Sequence, residues 1–188
     1  MIDELKARPV SHSKTILSEL MVPAYTNFGG KIHGGIILNM MDKVAYVCAT
    51  KHAGNYCVTA SIDSVDFVSA VDVGSQLSLY ASVNYVGKSS LIIGIKVVSE
   101  DIKLGIVKHT NTSYFTMVAM DSEHQPTKVP PLILETKEDI RRFLETKKRK
   151  ELKQKNKSEY VALKLNKDFE CDVEKLLATE NCLINMNK

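Results

Sequence analysis

The feature of this sequence that most constrains the fold is an apolar run over residues 34–53, GGIILNMMDKVAYVCATKHA. The run begins at a double glycine and stops at Gly54-Asn55, two signals that bracket a helix. Its apolar residues surround nearly the whole helix and do not form one narrow stripe. Such a helix must be covered on more than one side, so we expect it at the centre of the protein.

The chain after this helix has the residue alternation that is typical of β-strands. β-branched residues dominate the first such segment, and its alternation slips near 64–66, where we expect a bulge. Short turns at Gly87-Lys88 and Gly105 separate later segments, which indicates successive antiparallel strands. The predicted strand segments lie within 58–68, 77–85, 91–97 and 112–120.

One curved antiparallel sheet can wrap a helix that is apolar on all sides, which makes the fold class α+β. The edges of such a sheet are hazardous when they are left open. Pairing with a second copy of the chain is the usual remedy, and we therefore expect a dimer with a continuous sheet.

The net charge of +3 is distributed unevenly along the chain. Residues 141–157 hold nine Lys or Arg against Glu145 and Glu151, a local charge of +7, so the remainder sums to −4. The body is therefore not a basic nucleic-acid binder, and we do not expect nucleic acid as a partner. Beyond the prolines at 126, 130 and 131, the composition predicts a basic surface helix, and a short amphipathic helix is possible around 172–179.

No apolar stretch approaches the roughly 20 residues that a membrane span requires. The first ten residues, MIDELKARPV, lack the basic start and apolar core of a secretory signal. Cysteines at 48, 57, 171 and 182 match no zinc or redox spacing, which indicates reduced thiols, and Cys48 fits core packing. We therefore expect no membrane anchor and a cytoplasmic location.

Asp42 needs an explanation, because it stands mid-helix among apolar residues and a buried ionised carboxylate is costly without a partner. Asn39 and Tyr46 lie at i−3 and i+4 from it, so one polar strip follows the helix. One interpretation is a structural hydrogen bond across a subunit interface. The other is a general base, since a carboxylate in a dry pocket lined by a helix suits that role.

The segment before the helix, TNFGGKIHGG, holds further candidates. Gly34-Gly35 stands at the positive end of the helix dipole, where free N–H groups can hold an oxyanion, although a tight turn explains the pair equally well. Asn27 fits an Asx turn, and His33 can cap the helix or orient the loop.

Taken together, TNFGGKIHGG with Asp42 seven residues later resembles the active-site segment of hot-dog-fold acyl-CoA thioesterases, the acyl-CoA hydrolase branch. The resemblance continues into VTASIDSVDF at 58–67 and VGKSSL at 86–91. It covers about residues 11–130, which we take as the hot-dog domain. Residues 131–188 are then a C-terminal extension with the basic helix.

This resemblance implies a hot-dog fold, with a five- or six-stranded antiparallel sheet around a central helix. It implies hydrolysis of fatty acyl-CoA to free fatty acid and CoA without a metal or cofactor, in dimers assembled as a trimer of dimers. Asp42 is then the base or the nucleophile, and Asn27 of the other subunit assists it. His33, Gly34 and Gly35 are expected to bind substrate, with the Gly35 N–H on the thioester oxygen. The substrate's pantetheine and phosphates are expected near Gly87, Lys88, Ser89 and Ser90.

Two alternatives remain on the sequence alone. A non-catalytic acyl-CoA sensor of this fold would carry a DNA-binding helical unit, for which the about eleven residues before the domain are too few. A hot-dog hydratase would need a histidine in the helix region, whereas His33 precedes that helix and His52 lies near its end.

Overall fold

The computed structural model describes residues 5–165 and residue 181. The short helix considered around 172–179, together with Cys171 and Cys182, lies outside these residues. The elements in chain order are β1 (Arg8–Pro9), α1 (Val10–Ser13), β2 (Thr15–Leu20), a 3₁₀ turn (Pro23–Tyr25), α2 (Gly34–Ala53), β3 (Cys57–Ile62), β4 (Gln76–Val86), β5 (Ser90–Asp101), β6 (Ile106–Ala119), β7 (Leu132–Ile133) and α3 (Lys137–Leu165).

Five strands form one antiparallel sheet in the order β2-β4-β5-β6-β3, with β2 and β3 at its edges. The sheet curls around α2, which contacts all five strands. The α+β hot-dog fold with a C-terminal helix is therefore confirmed. We call the face toward α2 the inner face and the opposite one the outer face.

Helix α2 begins at Gly34 and ends at Ala53, the bounds predicted from the sequence. Gly54 ends it in the left-handed conformation with φ of 75°, which glycine adopts without steric cost, and its N–H bonds to the carbonyl of Thr50. The sheet buries most of the helix, and Met41, Val44 and Cys48 are fully enclosed. One stripe stays open, where Asn39, Lys43, Tyr46 and Val47 are exposed, so a single chain does not cover α2 completely.

The predicted strands are present as β3, β4, β5 and β6, but two local expectations differ from the structure. The bulge lies at Ala60, where the pairing with β6 shifts between Thr59 and Ser61, so its placement near 64–66 was wrong. The chain leaves the ladder after Ile62, and the loop that follows is held to β6 by the N–H of Val68. The predicted strand segment at 58–68 therefore ends as a strand at Ile62. The slipped alternation near 64–66 lies in the loop that follows.

Strand β2 was not predicted from the sequence. Its partly buried positions are Thr15, Leu17 and Glu19, whereas Ile16 and Leu20 are 64% and 51% exposed. Because the larger aliphatic residues of this strand face outward, its hydrophobic pattern does not indicate a strand on this core.

The first turn of α3 is fixed by a capping box, in which Thr136 and Asp139 each accept a hydrogen bond from the other's N–H. The predicted surface helix is confirmed, since Ile140 and Leu144 are exposed while Phe143 packs on Tyr85 with ring centroids 5.2 Å apart. One compact unit ends at Lys147, and a second begins at Lys148. Within the described part of the chain, no helix is long and apolar enough to cross a membrane.

Candidate active site

Asp42 and Thr59 form the centre of the candidate site. Thr59 Oγ1, on edge strand β3, donates a hydrogen bond of 2.6 Å to Asp42 Oδ1 on α2. Thr59 pairs with Met117 of β6 directly before the Ala60 bulge, which shifts the register of the rest of the strand. Asp42 Oδ2 has no hydrogen-bond donor among the residues that the structure describes. One carboxylate oxygen is thus fixed, and the other is available to a substrate or water.

The two side chains line a half-open groove of about 500 Å³ between α2 and β3. Tyr46 and Tyr56 also line it, with ring centroids 5.9 Å apart. Asp42 is only partly buried in the single chain, so the dry pocket expected from the sequence is not formed by one chain alone. A second surface over this groove would enclose the carboxylate.

Asn27 lies in a tight exposed loop, where it acts as the Asx-turn residue considered from the sequence. Its Oδ1 accepts hydrogen bonds from the N–H groups of Gly29 (2.9 Å) and Lys31 (3.2 Å). Its Nδ2 group makes no hydrogen bond to any described residue of the chain. The side-chain carbonyl is therefore committed to the loop, while the amide donor belongs to an exposed residue and remains accessible.

The Asn27 loop is anchored on both sides. An ion pair joins Lys31 to Asp72, and the lysine lowers the pKa of the Asp72 carboxyl. The N–H of Ile32 bonds to the carbonyl of Val71, and the N–H of His33 bonds to that of Tyr25. Phe28 stands fully exposed at the tip. An ordered loop with an exposed aromatic tip is suited to contact another molecule.

His33 is the N-cap of α2, and its Nδ1 accepts a hydrogen bond of 2.9 Å from the N–H of Gly35. The Gly35 N–H, expected to hold the thioester oxygen, is therefore engaged in this structure. The N–H of Gly34 has no acceptor among the described residues. Phe67 lies over Gly34, where an added Cβ would be 3.3 Å from the ring, so the glycine permits this close approach.

Gly87, Lys88 and Ser89 form the hairpin turn between β4 and β5, and Ser90 is the first residue of β5. Backbone bonds hold the turn to the end of β6 through Ser89 and to Val129 through Lys88, whose side chain is exposed. In the sheet register Thr59 pairs with Met117, which pairs with Leu91. The turn thus lies at the same end of the sheet as Thr59, about 10 Å away across two strand spacings.

Within one chain the structure brings only some of the candidates together. Asp42 meets Thr59, and His33 meets Gly35, but Asn27 and Asp42 make no hydrogen bond to each other. Thr59 was missed from the sequence, although a hydroxyl on the strand after a helix with a lone carboxylate is a usable signal. In the described residues, no group of three or more His, Cys, Asp or Glu side chains is placed to hold a metal ion.

Known proteins resemble this chain over most of its length. The profile of the Thioesterase superfamily matches residues 29–106. Protein VdlD of Helicobacter pylori is 46% identical over 141 residues, which cover 75% of this chain and 80% of the relative. The uncharacterized acyl-CoA thioester hydrolase YkhA of Bacillus subtilis is 33% identical over 135 residues, or 72% of this chain and 78% of the relative.

Solved structures show the same fold. An apo-hexameric acyl-CoA thioesterase has a TM-score of 0.78 at 38% identity, covering 81% of this chain and 97% of its own. An acyl-CoA hydrolase of Staphylococcus aureus, in complex with butyryl coenzyme A, coenzyme A and coenzyme A disulfide, has a TM-score of 0.70 at 31% identity, with 83% and 99% covered. That hydrolase was also solved as three alanine variants, of an asparagine, an aspartate and a threonine separated by 15 and then 17 residues.

Proposed function

This chain belongs to the thioesterase superfamily, and from that premise we propose that it hydrolyses acyl-CoA to a free acid and CoA, with fatty acyl-CoA as the substrate class. The observation that carries this proposal is the Asp42 carboxylate, held by Thr59 at an open groove with one oxygen unoccupied. Asn27, Asp42 and Thr59 are separated by 15 and then 17 residues, the spacing of the three substituted positions in the S. aureus hydrolase. This agreement in residue type and spacing supports the assignment.

In the proposed mechanism Asp42 is the general base. Its free oxygen takes a proton from a water molecule, whose oxygen attacks the thioester carbonyl carbon. The carbon–sulfur bond then breaks, CoA leaves as the thiolate, and that thiolate takes up the proton. Thr59 holds the carboxylate in one orientation, which lowers the cost of positioning it for each turnover.

The negative charge that develops on the carbonyl oxygen needs hydrogen-bond donors. The start of α2 offers the N–H of Gly34, which has no acceptor among the described residues, and the positive end of the helix dipole. The N–H of Gly35 joins it when the carbonyl oxygen replaces His33 Nδ1 as its acceptor. His33 thus provides the acceptor for the Gly35 N–H until the substrate's carbonyl oxygen replaces it.

We propose that the site is completed by a second copy of the chain in a homo-oligomer, with dimers assembled as a trimer of dimers. Helix α2 leaves a stripe uncovered next to edge strand β3, and the Asp42 groove is open there. Asn27 carries an amide donor without an acceptor on an exposed loop. In the proposed assembly the partner's loop closes the groove and brings its asparagine to Asp42.

The phosphates and pantetheine of CoA are assigned to the turn at Gly87, Lys88, Ser89 and Ser90, where an exposed cation and two hydroxyls suit an anionic ligand. No metal or cofactor takes part, because water activation and charge stabilisation are both assigned to protein groups. The proposed location is the cytoplasm, supported by the two described cysteines, Cys48 and Cys57, which are free buried thiols.

The test of the proposed function is thiol release from an acyl-CoA series, C2 to C18, followed with a colorimetric thiol reagent. The enzyme should release one thiol per acid formed, and the chain-length profile would define the substrate range. A protein that binds acyl-CoA without releasing thiol from any member of the series would be a sensor, and the proposal would be wrong.

A further inference from the structure

The groove that holds Asp42 and Thr59 has a second end, which is formed by an aromatic pair. Tyr46 lies one helical turn after Asp42 on α2, and Tyr56 lies three residues before Thr59, directly ahead of β3. All four side chains line the same groove of about 500 Å³. The groove therefore extends from the Asp42–Thr59 hydrogen bond to the two rings, over roughly 6 Å along the helix and roughly 10 Å along the strand segment.

The two rings contact each other but remain accessible. Their centroids are 5.9 Å apart and their planes are tilted by 59°, a usual geometry for an aromatic pair. Tyr46 is 39% exposed and Tyr56 is 52% exposed, and neither hydroxyl makes a hydrogen bond to a residue that the structure describes. The pair thus offers apolar ring surface together with polar tips. Such a surface suits a ligand in which amide groups alternate with short runs of carbon.

Backbone hydrogen bonds fix the position of Tyr56 relative to the turn between β4 and β5. The N–H of Met120 donates to the carbonyl of Tyr56 at 2.8 Å, and the N–H of Ala119 donates to the carbonyl of Ser89 at 2.9 Å. Ala119 ends β6, which lies between β5 and β3, and Met120 follows it directly. Tyr56 and Ser89 therefore flank the end of β6, about 10 Å apart across two strand spacings.

We propose that Tyr46 and Tyr56 bind the pantetheine arm of CoA between the reacting thioester and the phosphates, an inference that rests on the proposed function. The thioester is assigned to Asp42, and the phosphates with the adjoining end of the arm are assigned to the turn at Lys88. The arm has to connect these two places, and the aromatic pair lies between them. The two rings pack against the carbons of the arm, and their hydroxyls bond to its amide groups.

The chemistry of the pair favours the arm over the acyl chain as the occupant of this end of the groove. A fatty acyl chain has no amide group and leaves both tyrosine hydroxyls without a partner, whereas the pantetheine arm carries amides that donate and accept hydrogen bonds. Contacts to this non-reacting part of the substrate supply binding energy that holds the thioester at Asp42. Tyr46 and Tyr56 are therefore assigned to binding and positioning, and not to the chemical step.

The test compares three thioesters of one acyl group that the wild type hydrolyses: acyl-CoA, acyl-pantetheine and acyl-N-acetylcysteamine, which keeps only the end of the arm next to sulfur. The variant Y46A/Y56A should lose about 10-fold or more in kcat/KM on the first two substrates and about two-fold or less on the third. Y46F/Y56F keeps both rings and should recover most of the loss. Tyr160→Ala removes an exposed tyrosine of α3 and should behave like the wild type.

Lys88→Gln separates the contact with the phosphates from the contact with the arm, because it should affect acyl-CoA alone. Thermal melting and size-exclusion chromatography establish that each variant is folded and assembled. If Y46A/Y56A does not fold, Tyr56→Ala, at the more exposed of the two positions, serves for the same comparison.

Equal losses on all three substrates would show that the rings support the Asp42 site or the subunit interface, and the inference would be wrong. A loss that depended on the length of the acyl chain and not on the arm would place the acyl chain at the rings and would also overturn it. An active wild type with an unaffected Y46A/Y56A variant would overturn this inference alone. A wild type that releases no thiol from any of these substrates would overturn the proposed function itself.

Discussion

Thr59 and Asp42 are joined by a hydrogen bond of 2.6 Å between Thr59 Oγ1 and Asp42 Oδ1, which links the edge strand of the sheet to the central helix. The bond orients a carboxylate that lies mid-helix beside fully buried Met41 and has no other hydrogen-bonding partner in the described chain. A structural hydrogen bond and a catalytic role, the two interpretations of Asp42 from sequence, are therefore compatible. Thr59 fulfils the first and leaves the second oxygen for the chemistry.

Replacing Asp42 with Asn should lower kcat for acyl-CoA hydrolysis by on the order of 10²–10⁴, because the amide cannot accept the proton of the attacking water. The substitution is nearly isosteric and keeps an oxygen for Thr59, so the melting temperature and the oligomer should persist. Thiol-release kinetics and size-exclusion chromatography measure both. A variant with normal kcat would exclude Asp42 as the base.

Replacing Thr59 with Val should lower kcat by about 10-fold or more with little change in KM, because a hydrogen bond to a charged group contributes roughly 1.5–3 kcal/mol. Thr59→Ser retains the hydroxyl and should restore most of the activity. Steady-state kinetics of the two variants make the comparison. Equal activity of Val and Ser variants would show that the hydrogen bond does not serve catalysis.

Replacing His33 with Ala should reduce the free energy of unfolding by about 1 kcal/mol, because the N–H of Gly35 loses its capping acceptor. His33→Asn supplies another capping side chain and should recover most of that loss. Urea denaturation followed by circular dichroism gives both values. If the Ala variant matched the wild type, the cap would contribute nothing to stability.

Replacing Lys88 with Gln should raise KM for acyl-CoA several-fold and leave kcat within about two-fold, since a partly screened contact to phosphate contributes roughly 1 kcal/mol. The matched substrate is an acyl-pantetheine, which lacks the phosphates and should show no difference between variant and wild type. Lys103→Gln is the control for an exposed lysine elsewhere. An equal rise in KM for both substrates would place Lys88 away from the phosphates.

Stability should decline as the pH falls below about 6.5, the ordinary pKa of histidine, because burial lowers the pKa of His52 in the fold. Below that pH the unfolded chain binds a proton at His52 more readily than the folded chain does. The contribution of neutral His52 to the free energy of unfolding is therefore fully present above about pH 6.5 and is lost as the pH falls toward the lower pKa of the folded state. His52→Gln should flatten the decline between pH 7 and 5. Melting curves test this, with His124→Asn as the exposed control, and an unchanged slope in the His52 variant would contradict the prediction.

Local patterns in the sequence were sufficient for several elements. The helix bounds at Gly34 and Ala53 follow from glycines and apolar density, and β4, β5 and β6 follow from alternation and short turns. These signals are readable because each depends on residues a few positions apart. Strand β2 gave no such signal, since its aliphatic residues Ile16 and Leu20 face outward.

The candidate site was predictable only in part. Asn27 and Asp42 were identified from their spacing and their resemblance to a family motif, and their catalytic roles stay predictions. Thr59 was not identified, because its contact with Asp42 depends on the pairing of β3 with β6, which cannot be read from the local sequence. The hydrogen bond from the Gly35 N–H to His33 Nδ1 was not predicted either, because it depends on the orientation of the His33 side chain.

The sequence by itself determined the central helix, most of the strands and the family. Tertiary structure alone decided which hydroxyl holds Asp42 and that α2 keeps an uncovered stripe beside β3. The physical reason is that helices and strands arise from periodicity over neighbouring residues, whereas these features arise where segments far apart in sequence meet. Sheet register and the path of the chain between strands determine which of these distant residues are in contact, and no local sequence pattern encodes either one.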